Sequence, residues 1–256
     1  MHSNNTNPKR GQFMIGVYDY TVIVTYMSLI SAICGMTSAI HGKFKMAIFC
    51  LALSGLCDMF DGKIARTKKN RTEDEKSFGI QLDSLCDVIC FGACPALIAY
   101  LLGVRGMLGL PIIFLYCICG VIRLAYFNVL EGKRMVEEGG GCNKTYHGLP
   151  ITSISVILPL IFLTQFFTTP FAFQIILRLT MLITGLLFII DFKFPKPTNV
   201  QLIGIVSIVA IAVILIVAYS KFKVPKQNDY VGPVETEIME DLDEMEEAAK
   251  DMPQED

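Results

Sequence analysis

The chain has 256 residues, 53% of them hydrophobic, a mean hydropathy of +0.52 and a formal charge of −2. Apolar runs of about 20 residues recur along it, the length that crosses a bilayer, which excludes an ordinary soluble globule. The near-neutral total hides a segregation, because residues 229–256 hold 12 of the 24 acids with Lys250 as their one base, leaving 21 bases against 12 acids in residues 1–228.

In chain order, the polar stretch Met1 to Gln12 precedes the first apolar run and no small-residue cleavage site follows closely. Residues 1–14 therefore read as a cytoplasmic N-terminal segment and not as a signal peptide. Membrane spans are expected near 20–41, 45–65, 79–102, 108–130, 149–168, 171–190 and 199–220, with Asp19 as a helix cap before the first. Thr25, Ser28 and Ser31 form a polar stripe on the first helix, which suits either a ligand cleft or close helix packing. Cys86, Cys90 and Cys94 recur at helical spacing and read as small packing residues; no disulfide framework is implied. Gly139-Gly140-Gly141 lacks the strand and Gly-Lys-Ser/Thr context of a phosphate loop. The predicted fold is an all-α polytopic membrane protein, six core helices plus a C-terminal hydrophobic segment. One transmembrane domain covers 15–220, and 221–256 is a solvated acidic tail.

Placing the N terminus inside puts Lys9, Arg10, the loop after Arg66, Lys133, Arg134, Lys144, Lys193 and Lys196 on the cytoplasmic side. Lys221, Lys223 and Lys226 break that rule if all seven segments cross. The last segment is then either re-entrant or interfacial, or an exception. A multi-pass protein of the cell membrane is expected, with no nucleic-acid partner.

The chemistry concentrates in two stretches, Asp58-Met59-Phe60-Asp61-Gly62-Lys63-Ile64-Ala65-Arg66 and Gly79-Ile80-Gln81-Leu82-Asp83-Ser84-Leu85-Cys86-Asp87. Each ends or begins an apolar run, where an unpaired carboxylate is costly. Asp58 and Asp61 are spaced i, i+3 and Asp83 and Asp87 i, i+4, so each pair shares one helix face. Four converging carboxylates repel one another unless cations neutralise them. An all-oxygen set suits Mg²⁺ or Mn²⁺. Gly62 and Gly79 leave the backbone open, and Arg66 is a fixed cation for phosphate. Metal, arginine and open backbone together point to a bound pyrophosphate. A packing role for the acids, paired with Arg66, Lys63 or Arg123, has too few internal cations to serve four carboxylates.

This signature, Asp-x2-Asp-Gly-x2-Ala-Arg then Gly-x3-Asp-x3-Asp, resembles that of the CDP-alcohol phosphotransferases, with all eight positions matched. Twelve residues, Thr67 to Phe78, separate Arg66 from Gly79 where the family has about eight. The excess reads as a longer polar loop over Lys68 to Glu75. The resemblance implies Asp58, Asp61, Asp83 and Asp87 as metal ligands and Asp87 as the general base. It also implies Gly62, Ala65, Arg66 and Gly79 as donor-nucleotide residues, and a homodimer.

A second series resembles the serine-accepting branch of the same family: Asp83 to Asp87 running into Phe91-Gly92-Ala93-Cys94-Pro95-Ala96, then Arg123-Leu124-Ala125-Tyr126-Phe127-Asn128, Gly148-Leu149-Pro150 and Asp191-Phe192-Lys193-Phe194-Pro195-Lys196. It implies CDP-diacylglycerol as donor and L-serine as acceptor. Tyr126 stands where a second arginine is usual. Three roles stand open for Arg123: holding the serine carboxylate, holding the donor's lipid phosphate, or an interhelical salt bridge. Asn128 and Lys144 are further acceptor-site candidates. His147 reads as loop structure, and Arg178 as a snorkelling side chain. Glycerol 3-phosphate or an inositol phosphate is the alternative acceptor, favoured by Lys133, Arg134 and Lys144. A divalent-cation transporter is the alternative from another class, though it has no use for Arg66 or the two glycines.

Overall fold

The computed structural model describes residues 20–65, 67–68, 72–137, 145–195 and 199–222. The helices among them are α1 (Tyr20–Ile40), α2 (Phe44–Ala65), α3 (Glu73–Asp87), α4 (Cys94–Leu101), α5 (Gly106–Glu137), α6 (Ile154–Thr164), α7 (Pro170–Ile189) and α8 (Asn199–Phe222). A π-helical segment, Val88–Ala93, fuses α3 and α4 into one rod. Seven rods thus stand where seven apolar segments were expected. Val22–Ile40, Asp74–Leu101, Gly106–Gly132 and Pro170–Ile189 are long and apolar enough to cross a membrane, while Ile151–Thr164 is a shorter apolar helix. In α2 the apolar run is interrupted by Lys45, Asp58, Asp61 and Lys63.

Between α1 and α2 the chain turns through Gly42 at φ +70, a left-handed value that only glycine adopts without strain. The two helices then lie close together. Ser28 Oγ donates to the Ser54 carbonyl at 3.0 Å and meets Ser54 Oγ at 2.9 Å, and Ser31 Oγ donates to the Cys50 carbonyl at 2.8 Å. These two serines therefore serve helix packing, each such bond contributing about 0.6–2 kcal/mol in a membrane. A Cβ on Gly55 would overlap Ser155 Oγ, which is how α2 and α6 come into contact.

The π segment has a covalent cause. Pro95 has no N–H, so the carbonyl of Phe91 four residues earlier loses its helical partner. The hydroxyl of the fully buried Tyr116 on α5 donates to that carbonyl instead. Tyr116 also stacks against Phe188 of α7, centroids 5.5 Å apart, and its backbone lies where a Cβ on Gly185 would be. Phe91, Ile98, Ile154, Leu158, Leu177 and Met181 complete a fully buried core around it.

One addition departs from a purely helical description. β1 (Thr145–His147) pairs antiparallel with β2 (Lys193–Pro195), Tyr146 opposite Phe194, so His147 lies in a strand. Gly148, at φ +73, donates its N–H to Phe192 at 2.8 Å, and Leu149 donates to Leu187 at 3.2 Å. The segments after α5 and after α7 are thereby held at one end of the bundle. α8 is a single uninterrupted helix against α2 and α6. Asp19, Gly139 to Gly141, the N-terminal segment 1–14 and the tail from 223 lie outside the described residues.

Candidate metal and donor site

The start of α3 sets the register of everything after it. Thr72 and Glu75 form a reciprocal cap: Glu75 N–H donates to Thr72 Oγ1 at 3.2 Å and Thr72 N–H donates to Glu75 Oε2 at 3.0 Å. Lys68 Nζ is 3.7 Å from the same carboxylate oxygen. Helix therefore begins at Glu73, six residues before the expected span at 79. Residues 73–78 ahead of Gly79 are the first turns of α3, which corrects the part of the polar loop read over Glu73 to Glu75. The Thr-x-x-Glu signature of a cap was present at 72–75.

With that register, α3 presents Asp83 and Asp87 to the last turns of α2. Carboxylate oxygens of Asp58, Asp83 and Asp87 lie within 4.8 Å of one another. The Asp58 and Asp87 side chains meet at hydrogen-bonding separation, and so do Asp61 and Asp83. Asp61 is only 7% exposed and accepts a 3.1 Å hydrogen bond from Thr25 Oγ1 of α1. Asp58, Asp83 and Asp87 are half-buried. Ionised carboxylates hold such contacts only with a proton or a cation between them. Hard oxygen donors, a half-buried setting and access from one side fit one or more divalent ions of the Mg²⁺ or Mn²⁺ type.

Around the acids the surface is open. Gly62 is exposed, with no neighbouring atom among the described residues within 4 Å of where a Cβ would stand, so a ligand can approach the backbone there. Ala65 is the last residue of α2, and Gly79 is a half-buried position two turns into α3. Arg66 and Lys144 lie outside the described residues.

From the other side α5 closes the site. Ser84, next to Asp83, donates its hydroxyl to Asn128 Oδ1 at 2.7 Å. This fixes the Asn128 amide with its NH₂ turned away from Ser84. Five residues earlier on α5, Arg123 is 7% exposed and donates Nε–H to the Leu149 carbonyl at 3.1 Å, tying α5 to the Gly148-Leu149-Pro150 turn. Of the candidates named from sequence, Asp58, Asp61, Asp83 and Asp87 come together, and Asn128 joins them through Ser84. Two contacts were not read in advance: the Ser84–Asn128 bond and the attachment of Thr25 to Asp61. Helical periodicity gives the face of one helix and says nothing of its partner across a gap. The polar stripe on α1 was the available signal for Thr25.

A helical membrane bundle with four acids gathered together defines a polytopic membrane protein with a cluster of oxygen donors able to hold a divalent cation. The family profile for CDP-alcohol phosphatidyltransferase matches residues 20–190, two thirds of the chain, and the protein belongs to that family. Similar proteins include the CDP-diacylglycerol–serine O-phosphatidyltransferase of Methanocaldococcus jannaschii, 28% identical over 186 residues, which are 73% of this chain and 80% of that one. The archaetidylserine synthase of Methanothermobacter thermautotrophicus is 31% identical over 187 residues, 70% of this chain and 72% of its own. The CDP-diacylglycerol–serine O-phosphatidyltransferase of Helicobacter pylori is 32% identical over 146 residues, 56% and 57% of the two chains.

Proposed function

We propose that the protein is a phosphatidylserine synthase: it transfers the phosphatidyl group of CDP-diacylglycerol to the hydroxyl of L-serine, giving phosphatidylserine and CMP. The observation that carries this reading is the convergence of Asp58, Asp83 and Asp87 within 4.8 Å, with Asp61 against Asp83, in a chain of this family. The names of its relatives supply the acceptor. When bound, Mg²⁺ or Mn²⁺ would offset the charge of the donor's pyrophosphate and of the departing CMP. Asp58, Asp61, Asp83 and Asp87 would hold it.

The chain's own residues account for the rest. Gly62 leaves room for the nucleotide, and Ala65, Gly79 and Arg66 belong to the same donor surface by their place in the family motif. Thr25 holds the Asp61 carboxylate in position. Asp87, one turn beyond Asp83, takes the proton from the serine hydroxyl as its oxygen attacks the phosphorus of the phosphatidyl group. The new P–O bond forms as the bond to the bridging pyrophosphate oxygen breaks, and CMP leaves with that oxygen. Asn128, hydrogen-bonded to Ser84, would bind the acceptor. Arg123 would serve the serine carboxylate or the donor phosphate, with Lys144 as a further candidate. Charge distribution supports an active site on the cytoplasmic side of the cell membrane, with residues 15–220 as the catalytic unit. The family resemblance supports a homodimer.

An acceptor panel with purified protein tests this. CMP release from CDP-diacylglycerol should depend on L-serine, with little release with glycerol 3-phosphate or inositol phosphate. Preference for glycerol 3-phosphate would overturn the serine assignment.

A further inference from the structure

The end of the bundle opposite the acids carries two arginines, Arg105 and Arg178. Arg178 lies on α7, eight residues and ~12 Å along the helix from its start at Pro170. Its side chain leans back toward that start, as helical side chains do. One NH₂ group reaches the Gly103 carbonyl in the α4–α5 turn at 3.4 Å. Its Nε–H is buried and has no partner among the described residues.

Arg105, at the same end, is placed differently. Nε and an NH₂ group donate to the Tyr100 and Leu101 carbonyls, and the guanidinium sits 5.1 Å over the Tyr100 ring. Arg105 is consumed by its own loop. Arg178 instead lines a groove of about 490 Å³ between α5 and α7, together with apolar residues that include Leu108, Pro111, Leu115, Ile175, Leu179 and Leu182. Leu108, Ile175 and Leu179 are exposed on the bilayer side. An arginine that is, among the described residues, the one charged side chain lining an apolar groove that opens on lipid matches one partner by charge and shape: a phosphate diester on an acyl chain.

We propose that this groove binds one bilayer phospholipid with a net anionic headgroup, its phosphate on Arg178 and one acyl chain along Leu115 and Leu182. An anionic headgroup fits better than a zwitterionic one because it brings no ammonium to compete with the guanidinium. The site is remote from the aspartates and does not depend on the transferase reading.

The chain contains no tryptophan, so a single reporter can be introduced beside the groove. Leu179→Trp in the full-length protein, reconstituted in phosphatidylcholine vesicles, is titrated with brominated phosphatidylglycerol or brominated phosphatidylcholine. The proposal expects an apparent association about five-fold stronger for the anionic lipid. The preference should vanish when Arg178→Met is added and persist in part with Arg178→Lys. Equal quenching by the two lipids with Arg178 intact would overturn it, whatever the folding of the Met variant. So would an unchanged preference in a folded Arg178→Met protein, or a tryptophan shielded from both lipids because a second copy covers the groove.

Discussion

The two ends of the rod formed by α3, the π segment and α4 are built in opposite ways. Toward its start, Asp83 and Asp87 face Asp58 and Asp61 with charge crowded on charge and an open Gly62 beside them. From the π segment onward, Phe91, Cys94, Ile98 and Ala99 are fully buried, and the Phe91 carbonyl is met by the Tyr116 hydroxyl. Like charges held together destabilise a fold unless a ligand relieves them. The first half therefore carries the chemistry and the second half the stability that keeps it in place.

Substitutions in the acid half should cost activity and leave the fold intact. Asp87→Asn is expected to lower serine-dependent CMP release by about 10² to 10⁴-fold, with thermal stability unchanged or raised because a repulsive charge is gone. Side-by-side kinetics and melting of the metal-free protein would check both halves of that statement. In the buried core outside the acid half, Leu177→Ala on α7 should destabilise by about 2–5 kcal/mol while turnover per folded molecule persists. Tyr116→Phe should cost about 1–3 kcal/mol, since the Phe91 carbonyl is left buried without a donor. Denaturation in detergent would report both. If Tyr116→Phe proved neutral, the account of the π segment would be wrong.

Between the halves the expected effects are smaller and more specific. Asn128→Ala should raise the apparent KM for serine about ten-fold with the KM for CDP-diacylglycerol unchanged. Equal effects on both substrates would move Asn128 out of the acceptor site. Smallest is Thr72→Ala, which removes one half of the α3 cap and should cost about 1 kcal/mol of stability with no change in substrate preference.

Much of the acid half was legible in the sequence, because i, i+3 and i, i+4 spacings fix which side chains share a helix face. Asp58 with Asp61 and Asp83 with Asp87 needed only that geometry. The helix positions were legible for the same kind of reason, apolar length, although four of the seven described rods, and not all seven, are long and apolar enough to cross a membrane. Where α3 begins was misread, since an apolar run marks where a helix enters lipid and not where it starts. The Thr72–Glu75 cap was the better signal. The Ser84–Asn128 and Tyr116–Phe91 contacts join residues 44 and 25 positions apart, and no local pattern encodes them. Pro95 announced that Phe91 would lack a partner, though not which side chain would supply one. The β1–β2 pair was missed because three-residue strands carry too little alternation to be seen.

The central claim is that the carboxylates of Asp58, Asp61, Asp83 and Asp87 form a divalent-cation site on which phosphatidyl transfer depends. Its most direct test is serine-dependent CMP release from CDP-diacylglycerol by the purified protein, first in excess EDTA and then with Mg²⁺ or Mn²⁺ restored. The account predicts no turnover in EDTA and recovery with either ion in the wild type, with no recovery in Asp83→Asn. Full turnover in EDTA would contradict it.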